Sequence, residues 1–180
     1  MMKLFFGSLL TLFAINTSFS QEFKPTDAGS SIAFEIKNFG FNSHGSFSGL
    51  DGKISWNPKD PAKAAFDVSI AATSVNTDNN TRDEHLRKET YFDVEKYPRI
   101  RLVSTGITGP DNSGHYTFSG KLTIKNTTKD ISFPFIATPL GDDVIFKGDF
   151  TINRRDFEVG GASTLSNNLT VSLTVLAKKQ

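Results

Sequence analysis

The sequence predicts an all-β fold, an extended eight-stranded antiparallel up-and-down barrel with a short helix at one mouth. From Ser31 to Ala177 the chain repeats strand-length runs in which alternate residues are bulky and apolar, most often Phe, with Ser, Thr, Lys or Asp between them. Successive side chains of a strand point to opposite faces, so each run has one apolar and one polar face. No set of long amphipathic helices is available to cover the apolar faces, so the economical solution is a sheet closed on itself. The connections are short and rich in Gly, Pro, Asn and Asp, which favours sequential antiparallel hairpins.

The elements follow in order. Ser31 to Lys37 places Ile32, Phe34 and Ile36 on one face. A Gly-punctuated pair of runs comes next, around Phe47 and from Leu50 to Trp56, where Gly45, Gly49 and Gly52 indicate bulges or tight curvature. Phe66, Val68 and Ile70 alternate with Asp67 and Ser69. Later runs carry Ile100 and Leu102; Tyr116, Phe118, Leu122 and Ile124; Ile131, Phe133 and Phe135; Val144, Phe146, Phe150 and Ile152; and Leu169, Val171, Leu173 and Val175. Pro134 falls on the polar face of its run and removes a ladder donor, so a local bulge is expected there.

One segment breaks the period. Thr81-Arg82-Asp83-Glu84 has the form of a capping box, with Thr81 as the cap and Glu84 reaching back, and it predicts a helix of about two turns that ends before Tyr91-Phe92-Asp93. Inserted between strands, this helix belongs across one mouth of the barrel.

Residues 1–20 read as an export signal: a positive start at Met1 to Lys3, an apolar stretch from Leu4 to Ile15, and Ser18-Phe19-Ser20 before cleavage at Gln21. A single domain over 21–180 remains, with the periplasm as its expected location. There is no Cys, hence no disulfide framework and no lipid-anchored Cys. Loss of Lys3 leaves acidic and basic residues in equal number, and the absence of a basic stripe argues against a nucleic-acid partner. No window approaches the roughly 20 apolar residues of a spanning helix. An outer-membrane barrel would also alternate, but with the apolar face outward; one Trp and three Tyr are thin for two aromatic girdles.

Enzyme signatures are sparse. Gly45-Ser46-Phe47-Ser48-Gly49 has Phe where a nucleophile elbow needs Ser. His44, His85 and His115 have no second ligand at metal spacing, so neither metal nor cofactor is expected. Arg82, Asp83 and His85 form the best polar cluster, either as helix-end structure or as a site for a polar head group. His85 as a base oriented by Asp83 is the enzymatic alternative, disfavoured because residues two apart on a helix do not face each other. Alternation allows only one of Arg154 and Arg155 to point inward. The Phe-rich inner face either fills the barrel or lines a hollow. Runs of about ten residues at about 3.3 Å each give a tube about 30 Å long, generous for a packed core.

Six ordered blocks stand out: Ser74-Val75-Asn76-Thr77, Arg82-Asp83-Glu84-His85-Leu86, Tyr91-Phe92-Asp93, Tyr97-Pro98-Arg99-Ile100, Gly120-Lys121-Leu122-Thr123-Ile124 with Thr127-Thr128-Lys129, and Ile152-Asn153-Arg154-Arg155-Asp156-Phe157. Together they resemble the YceI-like family. Asn38 stands where many members have His, Asn126 replaces a common Gly, and Glu158 follows Phe157 where Gly is usual. The resemblance implies a periplasmic, lipocalin-like barrel that binds a long isoprenoid or similar amphiphilic lipid in its lumen, often as a homodimer, with no catalysis. The expected lumen contacts are Phe34, Ile36, Phe66, Val68, Leu102, Phe118, Phe133, Phe135, Phe146 and Phe150. The expected mouth contacts are Arg82, His85, Leu86, Phe92 and Arg154. A structural barrel with a filled core is the remaining alternative.

Overall fold

The computed structural model describes residues 20–162 and 164–180; the export signal read at 1–20 lies outside them apart from Ser20. Nine strands run in chain order: β1 (Gln21–Asn38), β2 (Phe41–Phe47), β3 (Asp51–Trp56), β4 (Ala65–Ala71), β5 (Arg99–Thr108), β6 (Tyr116–Ile124), β7 (Thr127–Leu140), β8 (Asp143–Asn153) and β9 (Leu165–Lys179). All pairings are antiparallel between neighbours, and β9 returns to pair with β1, which closes the barrel. Nine strands nevertheless make eight staves. Along the same edge of β1, residues Gln21 to Phe23 pair with β3 while Ile32 to Asn38 pair with β2, so β2 and β3 are two halves of one broken stave. The break is held by Asp27 of β1, whose carboxylate accepts the backbone N–H groups of Gly49 at 3.0 Å and Leu50 at 2.9 Å. β1 bends at the same level, where its register with β9 shifts between Thr26 and Ser31.

The alternation sorts as its chemistry demands. Tyr116, Phe118, Leu122 and Ile124 of β6 point inward and are buried. The outer wall carries ion pairs such as Arg101–Asp67 and Lys121–Asp130 and the hydroxyl pair Thr123–Thr128. This polarity is the reverse of a barrel that spans a bilayer with its strands. Among the described residues, no helix is long and apolar enough to cross a membrane.

Two local expectations are corrected. The bulge expected at Pro134 is absent: Pro134 pairs in register with Thr117. Its missing donor falls where the ladder to β8 stops, at Phe135–Gly148, so β6 pairs with β7 without interruption. The helix α1 (Asn80–Arg87) is present, but Thr81 lies inside it. Asn79 is the cap, and its side chain accepts the N–H of Arg82 at 3.0 Å. Asn is as good a cap as Thr, and it takes the position two residues earlier.

Inside, an aromatic plug fills one end of the barrel. Trp56 is 2% exposed and makes edge-to-face contacts with Phe66, Tyr116, Phe135 and Phe146, at centroid distances of 4.9 to 6.2 Å. Phe118 and Phe133 stack at 4.9 Å beside them. Such pairs exceed plain area burial by about 0.5–1.5 kcal/mol each, so this plug is a main source of stability. A second cluster, which includes Ile100, Leu122, Ile124, Phe157 and Val159, packs at the α1 end.

Candidate functional site

The part of the barrel under α1 is hollow. A cavity of about 620 Å³ lies there, within the roughly 300–1,000 Å³ that ligand pockets occupy. Its apolar wall is built by alternation on three neighbouring staves: Phe34 and Ile36 from β1, Leu169 and Val171 from β9, and Phe150 and Ile152 from β8. The register sets these groups side by side, since Phe34 pairs with Val171 and Ile36 with Leu169, while Phe150 pairs with Val171 across the next ladder. Val68 and Leu102 close the far wall.

The expected lumen residues therefore divide. Phe34, Ile36, Val68, Leu102 and Phe150 line the large cavity. Phe66, Phe118, Phe133, Phe135 and Phe146 sit in the packed plug and border only a second void of about 60 Å³. The two outcomes left open by the pattern, filled core and hollow, both occur, one in each half.

Arg82, His85, Leu86, Phe92 and Arg154 all border the cavity at its α1 end. Thr77 organises this lid. Its hydroxyl donates to Asp83 Oδ1 at 2.6 Å and accepts from Arg82 Nε at 2.7 Å; its N–H also reaches Asp83 Oδ1, at 2.9 Å, and its carbonyl accepts from Arg82 Nη2 at 2.6 Å. Asp83 is 4% exposed, so these bonds satisfy a buried carboxylate. Asp83 thus holds the lid through Thr77 and is not aimed at His85. His85 is exposed on α1. Phe92 joins lid to wall: its ring meets Phe47 edge-on at 5.4 Å, and Phe47 meets Phe34 at 5.6 Å.

Arg154 is the inward member of its pair, 4% exposed, whereas Arg155 is exposed. It sits in a short 3-10 turn after β8, and its guanidinium donates to the carbonyls of Val159 at 2.7 Å, Gly160 at 2.5 Å, Leu165 at 3.1 Å and Ser166 at 2.9 Å. Burial, with Arg155 nearby, pushes its pKa down from the ordinary arginine value. The loop it gathers is tied to the lid by Gly160 N–H donating to Thr90 O at 2.8 Å. Glu158 in this loop has φ of 56°, the left-handed region that favours Gly, the residue that the family resemblance leads one to expect there.

Sequence reasoning did not single out Asn38, His44, Tyr91, Thr164 and Leu165 as site residues, yet all border the cavity. Nor did it select Leu169 and Val171, although their alternation in the last run was visible; the missing information was that β9 pairs with β1. Among the described residues, no three His, Cys, Asp or Glu side chains are placed to hold a metal ion. His44 lies 3.3 Å from Glu35 and His115 3.8 Å from Asp111, both on the exposed surface.

The comparisons with known proteins point one way. The BcnA structure from Burkholderia cenocepacia superposes with a TM-score of 0.80 at 22% identity, covering 86% of this chain and 99% of that one. A polyisoprenoid binding domain from Saccharophagus degradans matches with a TM-score of 0.69 at 12% identity, over 89% of this chain and 99% of that one. At these identities the likeness concerns the fold. The Campylobacter jejuni YCEI protein is 29% identical with a TM-score of 0.68, covering 76% of this chain and 84% of that one. A UPF0312 protein of Yersinia enterocolitica is 30% identical over 157 residues, 82% of this chain and 81% of its own length. The family model for the YceI-like domain matches residues 23–177, and the chain belongs to that family.

Proposed function

We propose that the protein carries or sequesters a long-chain isoprenoid or similar amphiphilic lipid, with the tail in the hollow half of the barrel and the polar head at the α1 rim. The supporting observation is the half-empty interior: about 620 Å³ of mostly apolar space ends in a rim that includes Arg82, His85, Asn79 and Thr81. A protein with only a core to fill has no use for such a void, because unfilled apolar volume costs packing energy. Ten methylenes entering it gain about 8 kcal/mol gross, against association costs of about 4–15 kcal/mol, so a longer chain than that is the natural cargo.

Phe34, Ile36, Val68, Leu102 and Phe150 are the proposed tail contacts, joined by Leu169 and Val171. The aromatic plug containing Phe66, Phe118, Phe133, Phe135 and Phe146 serves as the floor on which the tail ends. Arg82 and His85 face the head group, Leu86 and Phe92 cover the tail where it leaves the lumen, and Arg154 holds the rim loop in place. The lining offers apolar walls and scattered hydrogen-bonding groups, the composition of a pocket that holds a mostly apolar ligand. Export by residues 1–20 would deliver the carrier to the periplasm.

Mass spectrometry of organic extracts from protein purified without detergent tests this reading. The expected result is a hydrophobic small molecule in near one-to-one amount. Repeated preparations that hold none, and that take up no added polyprenyl compound, would refute it.

A further inference from the structure

The hairpin between β1 and β2 turns through Phe39 and Gly40, whose φ angles are 50° and 83°. A two-residue turn with both centres in the left-handed region favours Asn-Gly, and a bulky aromatic at the first centre is an expensive choice. Nothing inside the fold repays that cost. Phe39 is 75% exposed and Phe41 78%. The third large apolar side chain exposed among the described residues, Leu140, lies at the opposite end of the barrel, in the β7–β8 turn beside Asp142.

Lys37 is the charged residue nearest the turn and has no ion-pair partner among the described residues, whereas Glu35, two residues further back, is paired with His44 at 3.3 Å. The hairpin is also part of the cavity rim, which Asn38, Ser43 and His44 border. Beyond its pairing with β1, β2 has only an isolated bridge from Ser46 to Asn76, so its outer edge from Phe41 to Gly45 has no strand beside it. An aromatic, cationic tip thus stands at the edge of the open end.

We propose that the Phe39-Gly40-Phe41 tip docks the protein on the surface of an anionic lipid bilayer. The two rings enter the boundary between head groups and acyl chains, Lys37 meets the lipid phosphates, and the cavity rim is brought to the surface where a lipid can pass. Two rings and one cation give weak, reversible binding, which is what a shuttling carrier needs. A second copy of the chain is a poorer occupant: two aromatic side chains cover about 300–500 Å², short of the roughly 800 Å² per partner of a stable interface. The purpose assigned to docking rests on the lipid-carrier reading, and the experiment separates the two.

Flotation with vesicles of phosphatidylglycerol and phosphatidylcholine in equal parts tests the proposal, using protein purified from cells expressing the full chain. The variant is Phe39→Asn with Phe41→Ser; Asn suits the turn, so folding is preserved. The wild type is expected to float and the variant to partition at least tenfold more weakly, while both retain the same lumen content by mass spectrometry. Absence of wild-type flotation, or equal flotation of both, overturns the proposal. So does a concentration-dependent dimer that the variant abolishes without any effect on vesicles. Wild-type flotation with an empty lumen would support docking and sink the cargo.

Discussion

Phe34 lies directly across the β1–β2 ladder from Gly45, and its ring occupies the space that a Cβ on residue 45 would fill. The missing side chain is what lets an aromatic ring lie flat against the wall while still bordering the cavity. The same device recurs at Gly148, where an added Cβ would come within 3.2 Å of the Phe133 ring. Gly45→Ala is therefore expected to push the Phe34 ring into the hollow. Its cost is about 1–3 kcal/mol, the range for overpacking, measured by urea denaturation. Lumen binding should weaken more than the stability loss accounts for. Unchanged binding in a folded Gly45→Ala protein would show that the ring does not set the free volume.

The two halves of the barrel should separate under mutation. Trp56→Ala removes the centre of the plug and is expected to cost about 3–5 kcal/mol, with lumen occupancy retained in the fraction that stays folded. Val171→Trp projects an indole into the void between Phe34 and Phe150 and should displace the lipid at an overpacking cost of about 1–3 kcal/mol in stability. Extract mass spectrometry together with thermal denaturation reads both effects. A Val171→Trp protein with undiminished lipid would mean that the cargo lies elsewhere.

Much of this was legible beforehand because strand alternation is strict. The inward set of β6, Tyr116, Phe118, Leu122 and Ile124, was apparent from its period of two, and the break at Ser48 to Leu50 was announced by Gly49 and Gly52. Periodicity reports which face a residue takes, however, and not its height along the barrel. For that reason Phe66 and Phe146, in the plug, could not be told from Phe34 and Phe150, in the wall of the hollow. The arginines were illegible for another reason. Arg87 donates to the carbonyls of Thr73 and Val75, Arg99 to that of Gly49, and Arg154 to a whole loop; acceptors on the backbone leave no trace in side-chain patterns.

Arg154 should be a positioning residue whose charge is less important than its shape. Arg154→Lys keeps the charge but replaces a planar fork by a single ammonium, which cannot serve carbonyls spread from Val159 to Ser166. Each hydrogen bond to a charged donor contributes about 1.5–3 kcal/mol, so a loss of at least about 2 kcal/mol is expected for Lys and Ala alike. Hydrogen exchange should locate the effect, with Gly160 N–H losing protection as its bond to Thr90 opens. Full rescue by Lys would assign the role to charge.

Asp67 and Arg101 form a two-pronged pair on the outer wall, with Arg101 Nε donating to Oδ1 at 2.8 Å and Nη2 to Oδ2 at 2.6 Å. The hydrogen bonds from Arg101, helped by its charge and opposed by slight burial, hold the Asp67 pKa below its ordinary 3.8. A carboxylate with a depressed folded-state pKa stabilises the fold fully above its unfolded value and loses that contribution as pH falls through the folded one. The acid window thus lies below pH 3.8, and at neutral pH the pair is fully charged. Both side chains are more than half exposed, so solvent screening limits the contribution to about 0–1 kcal/mol. A carbon-13 titration should place the Asp67 midpoint below 3.8, and Arg101→Ala should return it towards that value. Denaturation at pH 7 should then show wild type and variant within about 1 kcal/mol, and a gap that persists below the wild-type midpoint would assign the effect to packing of the Arg101 stem rather than to the ion pair.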